Sequence, residues 1–201
     1  MITVLDYGMG NLGSIVNMLK RIGVDSDLAS DLESLKNAKK IILPGVGAFD
    51  TAMSRIHESG MLDLLHNKAL QERIPILGIC LGMQLLTRGS EEGEMDGLGW
   101  IPAQARRFPD DGSLKVPHMG WNIVSPTSPS KLTADFEEET RFYFVHSYAV
   151  NVDEGEHSIL KTSYGIDFDS AIQKDNIFGV QFHPEKSHRF GIRLLNNFVA
   201  L

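Results

Sequence analysis

Two short stretches far apart in the chain hold the side chains best suited to covalent chemistry. Cys80 stands at the centre of Gly78-Ile79-Cys80-Leu81-Gly82. An apolar run before it and helical spacing after it give the strand–turn–helix spacing of a nucleophile elbow, with sulfur in place of oxygen. So sharp a turn strains the nucleophile's backbone and crowds the residues two positions to either side, which is why glycine is wanted at both. A helix starting at Leu81 would aim its amino terminus at the sulfur, favour the thiolate and supply the Leu81 amide as an oxyanion donor. The bland reading of Cys80 is a small buried apolar residue; the paired glycines favour the elbow.

A cysteine nucleophile needs a base and a group that orients the base. Gln181-Phe182-His183-Pro184-Glu185 follows the apolar strand pattern Phe178-Gly179-Val180 and offers both. Pro184 fixes the chain direction, and in an extended segment His183 and Glu185 would point the same way, letting the carboxylate engage the imidazole. His183 is one of seven histidines, and it gains its interest from the cysteine elsewhere.

The elements that must position these groups are legible in outline. Ile2 to Tyr7, Lys39 to Gly45 and Ile74 to Cys80 read as short buried strands, the first followed by a glycine turn and the second stopped by Pro-Gly, with helical apolar spacing behind them at Leu12–Ile22, Phe49–Ile56, Met61–Leu70 and from Met83. Alternating strands and helices predict a parallel sheet covered on both faces. In the second half Trp121–Val124, Arg141–Val150, Ser158–Ser163 and Ile177–Phe182 are strand-like, and Phe190, Leu194, Leu195, Phe198 and Val199 form a closing helical stripe. The expected fold class is therefore α/β: a doubly wound, mostly parallel sheet flanked by helices, with an antiparallel extension. Segments 102–112 and 126–129 are expected as surface loops. No linker or repeat divides residues 1–201, so one domain is expected.

Composition excludes several classes. A net charge of −7 gives no basic stripe for nucleic acid or an anionic membrane. No apolar run approaches the roughly 20 residues of a membrane span, and the chain opens on a strand pattern instead of a charged leader. With Cys80 as the sole cysteine no internal disulfide can form, so the cytoplasm is the expected compartment. The histidines show no metal-ligand spacing, and neither a metal nor a cofactor is expected.

With both motifs in view, the sequence resembles the class I (triad) glutamine amidotransferases, a flavodoxin-like group whose signature joins a Gly-x-Cys-x-Gly elbow to a late His-Pro-Glu. The likeness extends over the whole chain through residues 6–11, 44–49, 80–84, 117–122, 144–148 and 181–187, and is closest to the members serving histidine biosynthesis. It implies a heterodimer with a β/α-barrel cyclase subunit. The cyclase would join ammonia to a phosphoribosyl-bearing precursor, giving imidazole glycerol phosphate and an aminoimidazole carboxamide ribotide. On this resemblance Cys80 attacks the side-chain amide of glutamine, His183 shuttles protons and Glu185 holds the imidazole. Gly47, Gln84, Glu92, Ser147 and Tyr148 match positions that hold glutamine, and Glu92 suits its α-ammonium. Asn11, Trp121, Tyr143 and Lys186 match positions near the subunit contact.

Val46 stands where related amidotransferases have glycine, and a β-branched residue resists the positive φ that would make its amide the second oxyanion donor beside Leu81. An oxyanion hole completed only when the cyclase binds its ligand is the expectation. Among other readings, Gly8-Met9-Gly10-Asn11-Leu12-Gly13 satisfies the dinucleotide fingerprint, with Asp25, Asp27 or Asp31 as the ribose carboxylate. That reading leaves both catalytic motifs unexplained. A glutaminase for pyridoxal phosphate or anthranilate synthesis, a Cys-His peptidase and a scaffold with a vestigial triad are the remaining alternatives.

Overall fold

The computed structural model describes residues 1–110, 112 and 114–201. In chain order it runs β1 (Ile2–Leu5), α1 (Leu12–Arg21), β2 (Ser26–Ala29), α2 (Leu32–Lys36), β3 (Ile41–Leu43), α3 (Phe49–Glu58), α4 (Leu62–His66), β4 (Ile76–Ile79) and α5 (Leu81–Leu85). There follow β5 (Ala103–Arg107), β6 (His118–Ile123), β7 (Ser125–Pro126), β8 (Arg141–His146), β9 (Tyr148–Val152), β10 (Ser158–Tyr164), β11 (Ile166–Lys174), β12 (Ile177–Val180) and α6 (His188–Ala200).

Eight of these strands form one sheet in the order β2-β1-β3-β4-β12-β11-β10-β7. The first five are parallel neighbours, and β11, β10 and β7 continue antiparallel. This is the expected doubly wound sheet with its extension, and the parallel part follows the flavodoxin-like 2-1-3-4-5 order. The ribbons β5–β9 and β6–β8 lie outside it.

Residues that alternate along the strands divide the core between the two faces. Leu5, Ile41, Leu43 and Ile76 join Ala52, Met53 and Ile56 of α3 and Leu65 of α4. Ile2, Val4, Ile42, Leu77 and Ile79 join Ile15 and Leu19 of α1 with Leu194, Leu195 and Phe198 of α6. The apolar stripe at the carboxyl end thus closes the second face, as its spacing predicts.

Several local expectations need correction. The loop expected over 102–112 contains a strand, β5, with Ala103 and Ala105 buried against solvent-facing arginines; Asp111 of that segment lies outside the described residues. Pro126 is not in a loop but in a two-residue edge strand that pairs with β10, a position where proline's missing N–H costs little. The segment Met61–Leu70 is not one α-helix, since α4 gives way to a π-helical turn at Asn67–Gln71. No described helix is long and apolar enough to cross a membrane.

Phe198 is fully buried where α6 meets the sheet. Phe198→Ala is expected to lower the unfolding free energy by roughly 3–5 kcal/mol, measured by urea denaturation, because the large apolar group leaves a cavity. A loss below about 1 kcal/mol would contradict the closing role assigned to α6.

Candidate active site

Cys80 leaves the end of β4 with φ 55° and ψ −109°, a left-handed conformation rare outside glycine. Main-chain contacts hold it there. A Cβ on Gly82 would lie 1.9 Å from the Leu43 carbonyl oxygen, and one on Gly78 would lie 2.6 Å from that of Gly82. The two glycines let β3 and the first turn of α5 close around the cysteine. A Cβ on Gly45 would meet the Leu81 side chain at 2.9 Å, so the Pro-Gly turn after β3 packs against the same elbow. Tyr7 donates its hydroxyl to the Pro44 carbonyl at 2.6 Å and tethers that turn to the end of β1. Burial, then the charge of Cys80, pushes the Tyr7 phenol above its usual range.

The helix behind the elbow is only five residues long. The helix amino terminus expected to favour the thiolate is thus that of little more than one turn, and its influence comes from local amides. Leu81 is its first residue and has no acceptor within the helix, so its N–H is available beside the sulfur.

His183 follows β12, the parallel neighbour of β4. Its Nδ1 lies 2.8 Å from Glu185 Oε1, and both side chains are almost wholly buried. The extended segment expected for this pair is absent. Instead Pro184–Lys186 forms a 3-10 turn, which folds Glu185 back onto the ring. The His183 N–H donates to the Tyr143 carbonyl, and the Ser187 hydroxyl donates to the His183 carbonyl at 2.6 Å while accepting from the Tyr143 N–H. The ribbon strand β8 thereby fixes the His183 segment.

His183 Nε2 is buried and has no partner at hydrogen-bond geometry, while Cys80 lines the same cavity and acts on the ring through it. Burial is the largest single influence on the imidazole and opposes its charge. Hydrogen bonding and charge from Cys80 and Glu185 together outweigh burial and raise the ring to about 9.

Cys80 and His183 line one cavity of about 360 Å³ together with Val46, Gly47, Leu81, Gln84, Glu92, Ser147, Tyr148 and Lys186. The thiol is buried but opens onto this space. Every expected glutamine-holding residue is therefore on its wall. Glu92 uses Oε2 to accept from the Phe49 N–H at 2.9 Å, capping α3 while facing the cavity. Gln84 is buried rather than solvated, and its amide donates to the Tyr148 carbonyl and to Gln181 Oε1. At the oxyanion loop the left-handed residue is Gly47, with φ 109°, and Val46 has a negative φ and a half-exposed side chain.

Three of the residues expected at a subunit contact gather on the surface. Trp121 pairs with Tyr143 across β6 and β8, and the Lys186 ammonium lies 5.7 Å from the Tyr143 ring centroid. Met119, Trp121 and Ile123 alternate along one face of β6 and are 61%, 45% and 50% exposed. Trp121 is thus no core residue. Asn11 acts locally, its side chain accepting from the Ser14 N–H to cap α1.

Two groups are not foreseeable from the sequence. Gln181, wholly buried, directs its Nε2 toward Cys80 Sγ at 3.7 Å. His146 and His118 form a buried pair at 2.9 Å, with His146 Nδ1 donating to the Tyr148 carbonyl. Desolvation lowers them to about 3 and about 4, so both stay neutral near pH 7. All three lie in segments that carry the family resemblance, but nothing in their spacing reveals whom they touch.

Two of the three glycines of the dinucleotide fingerprint, Gly8 and Gly10, serve packing, while a Cβ on Gly13 would meet open space. A Cβ on Gly10 would lie 3.3 Å from Pro44, and the Arg55 guanidinium donates to the Gly8 carbonyl. Asp31, a candidate ribose carboxylate, caps α2 by accepting from the Ser34 N–H at 2.8 Å. Among the described residues, one cluster has metal-ligand proximity, Glu154, Glu156 and His157, and none of these lines the Cys80 cavity.

A base held above its ordinary value binds its proton more tightly folded than unfolded. Its stabilisation is complete below the unfolded value of 6.5 and disappears as pH rises through about 9. The stability gap between wild type and Glu185→Gln, measured by urea unfolding from pH 6 to 10, should be widest at the acid end and narrow toward pH 9. A gap that does not change with pH would contradict the charged pair.

Comparison with known proteins agrees with this geometry. Residues 3–201 match the family model described as glutamine amidotransferase class-I. The chain is 51% identical to imidazole glycerol phosphate synthase subunit HisH 2 of Methanococcus maripaludis, covering 99% of this chain and 98% of the relative. It is 47% identical to the subunit HisH 2 of Pseudomonas aeruginosa over the full length of both. Among solved structures, PurLQS from Thermotoga maritima superposes with a TM-score of 0.76 at 16% identity, covering 99% of this chain and 97% of the other. That last likeness speaks for the fold alone. An elbow cysteine, a buried imidazole–carboxylate pair and relatives matched from end to end lead to one assignment: the chain belongs to the class-I glutamine amidotransferase family.

Proposed function

We propose that this chain is the glutaminase subunit of an imidazole glycerol phosphate synthase, releasing ammonia from glutamine for a β/α-barrel cyclase subunit. The observation that carries the chemistry is the convergence of Cys80 and the His183–Glu185 pair on one cavity. The acceptor is argued from the full-length relatives, whose names specify that synthase. The same relatives weigh against the pyridoxal phosphate, anthranilate and peptidase alternatives.

The reaction follows from the side chains. Glutamine binds with its carboxamide carbon at Cys80, its α-ammonium toward Glu92 and its body along Gly47, Gln84, Ser147 and Tyr148. The Cys80 thiolate attacks that carbon, a C–S bond forms, and the charge on oxygen is met by the Leu81 N–H. His183, protonated beside Glu185, gives its proton to the departing nitrogen as the C–N bond breaks, leaving a thioester and ammonia. The neutral ring then takes a proton from water, which attacks the thioester. Breaking the C–S bond releases glutamate and returns the sulfur to its starting state.

The second oxyanion donor is the Val46 amide, and it requires a change in the loop. Val46 lies outside the left-handed region, and the tether from Tyr7 to Pro44 holds the turn in place. Engagement of the cyclase and its ligand rotates this loop and completes the hole. The exposed Met119, Trp121 and Ile123 face, with Tyr143 and Lys186 beside it, is the docking surface, and its aromatic and apolar character suits an interface core.

Glutamine hydrolysis should be slow in the isolated chain, and faster by roughly tenfold or more when cyclase and its phosphosugar ligand are both present, a coupling of ordinary allosteric size. Cys80→Ser should lower the complex's rate by about 10³-fold or more. Full activity in the isolated chain would end the gating account, and an active Cys80→Ser enzyme would end the thioester mechanism.

A further inference from the structure

Beside the sulfur, but outside the lining of the cavity, lies a carboxamide that the mechanism above does not use. Gln181 is the last residue before the Phe182-His183 step, fully buried, with its main-chain N–H donating to the Ser170 carbonyl on β11. Its side chain spans from Gln84 to Cys80: Oε1 accepts from Gln84 Nε2 at 3.2 Å, and Nε2 lies 3.7 Å from Cys80 Sγ.

The direction of this amide is fixed by a main-chain carbonyl. The Tyr148 oxygen can only accept, so the Gln84 atom 3.4 Å from it must be the nitrogen. That nitrogen also faces Gln181, so the Gln181 atom opposite it must be the oxygen. The remaining Gln181 atom, turned to the sulfur, is then an N–H donor. Reversing Gln181 would set two donors against each other at one end and an oxygen against a sulfur anion at the other. The Val145 carbonyl oxygen lies farther from the same sulfur, at 4.0 Å.

From this arrangement we infer that Gln181 is a further catalytic residue: its carboxamide N–H donates to the Cys80 sulfur and stabilises the thiolate, while Gln84 and the Tyr148 carbonyl orient it. A hydrogen bond to an ionised acceptor is stronger than one to the neutral form, so the contact favours the attacking species. The donor stands behind the sulfur on a buried residue, leaving the cavity side open for the substrate carbon. Gln84 thereby acts in two places, on the substrate wall and as the positioning residue for Gln181. The inference rests on the thioester chemistry proposed above.

Alkylation by iodoacetamide, in which the thiolate displaces iodide, measures the sulfur without requiring turnover of glutamine. Gln181→Met keeps the side-chain length and removes the donor. The ionisable groups around the sulfur, Tyr7, His183 with Glu185, and Glu92, His146 and Lys186 on the cavity wall, remain in place. Expected are about tenfold slower labelling of Cys80 at pH 7 and a rate profile displaced by about one unit to higher pH, with the alkaline plateau unchanged. A merely structural residue would lower the plateau and leave the midpoint alone. Where Gln181→Met does not fold, Gln84→Met tests the same bond by freeing the amide to turn, and a smaller displacement in the same direction is expected. Labelling at the wild-type rate and pH midpoint in the folded variant overturns the inference. Glutamine hydrolysis by wild-type complex is followed in parallel: its absence would sink the proposed function, whereas hydrolysis with an unchanged Gln181→Met profile sinks this role alone.

Discussion

The site depends on a main-chain collision avoided. At Gly82 the first turn of α5 comes so near the Leu43 carbonyl that no side chain fits between them, and Gly78 meets the same turn from the other side. Closing that gap forces Cys80 to φ 55°, a conformation that costs on the order of 1–3 kcal/mol and persists only where packing over-determines it. Leu43 and Ile79, at the ends of adjacent parallel strands, are both buried in the sheet's core. The hydrophobic core therefore supplies the strain, and the strain lifts the sulfur out of the sheet into the cavity.

The rest of the constellation is arranged around that fixed point by the strand order. Because β12 is the parallel neighbour of β4, His183 and Cys80 leave the sheet at the same edge. Strand β8 and the residue that opens β9 then contact both halves of the site: the Tyr143 carbonyl accepts from the His183 N–H while its own N–H donates to the Ser187 hydroxyl, and the Tyr148 carbonyl accepts from Gln84 and His146. The outer side of the β6–β8 ribbon carries the exposed Trp121 and the half-buried Tyr143. The backbone of Tyr143 thus contacts the His183 segment while its ring lies beside Trp121 and Lys186.

Much of this is legible in the sequence, and the exceptions have physical causes. The parallel strands declare themselves because strands buried on both faces are continuous apolar runs. The strand β11 does not, although it lies in the middle of the antiparallel half, because it buries Asp169 and Ser170, residues that strands ordinarily avoid. Asp169 is tolerated there because it accepts from the Val152 N–H at 2.9 Å. The strand β2 is an edge with little apolar content, and β5 presents alanines to the core, so neither carries a strong alternating signal. The triad is visible because turn chemistry and reactivity both restrict residue choice. Gln181 and the His118–His146 pair are not, since their roles depend on which neighbour a carbonyl or amide faces, and only folded geometry supplies that.

The most direct test of the central claim is to treat the protein with an electrophilic analogue of glutamine and locate the adduct by peptide mass spectrometry. Modification confined to the peptide containing Cys80, suppressed by excess glutamine and strongly slowed in His183→Asn, is the predicted result. An adduct on another residue, or labelling of Cys80 indifferent to both glutamine and His183, would contradict a triad assembled in this cavity.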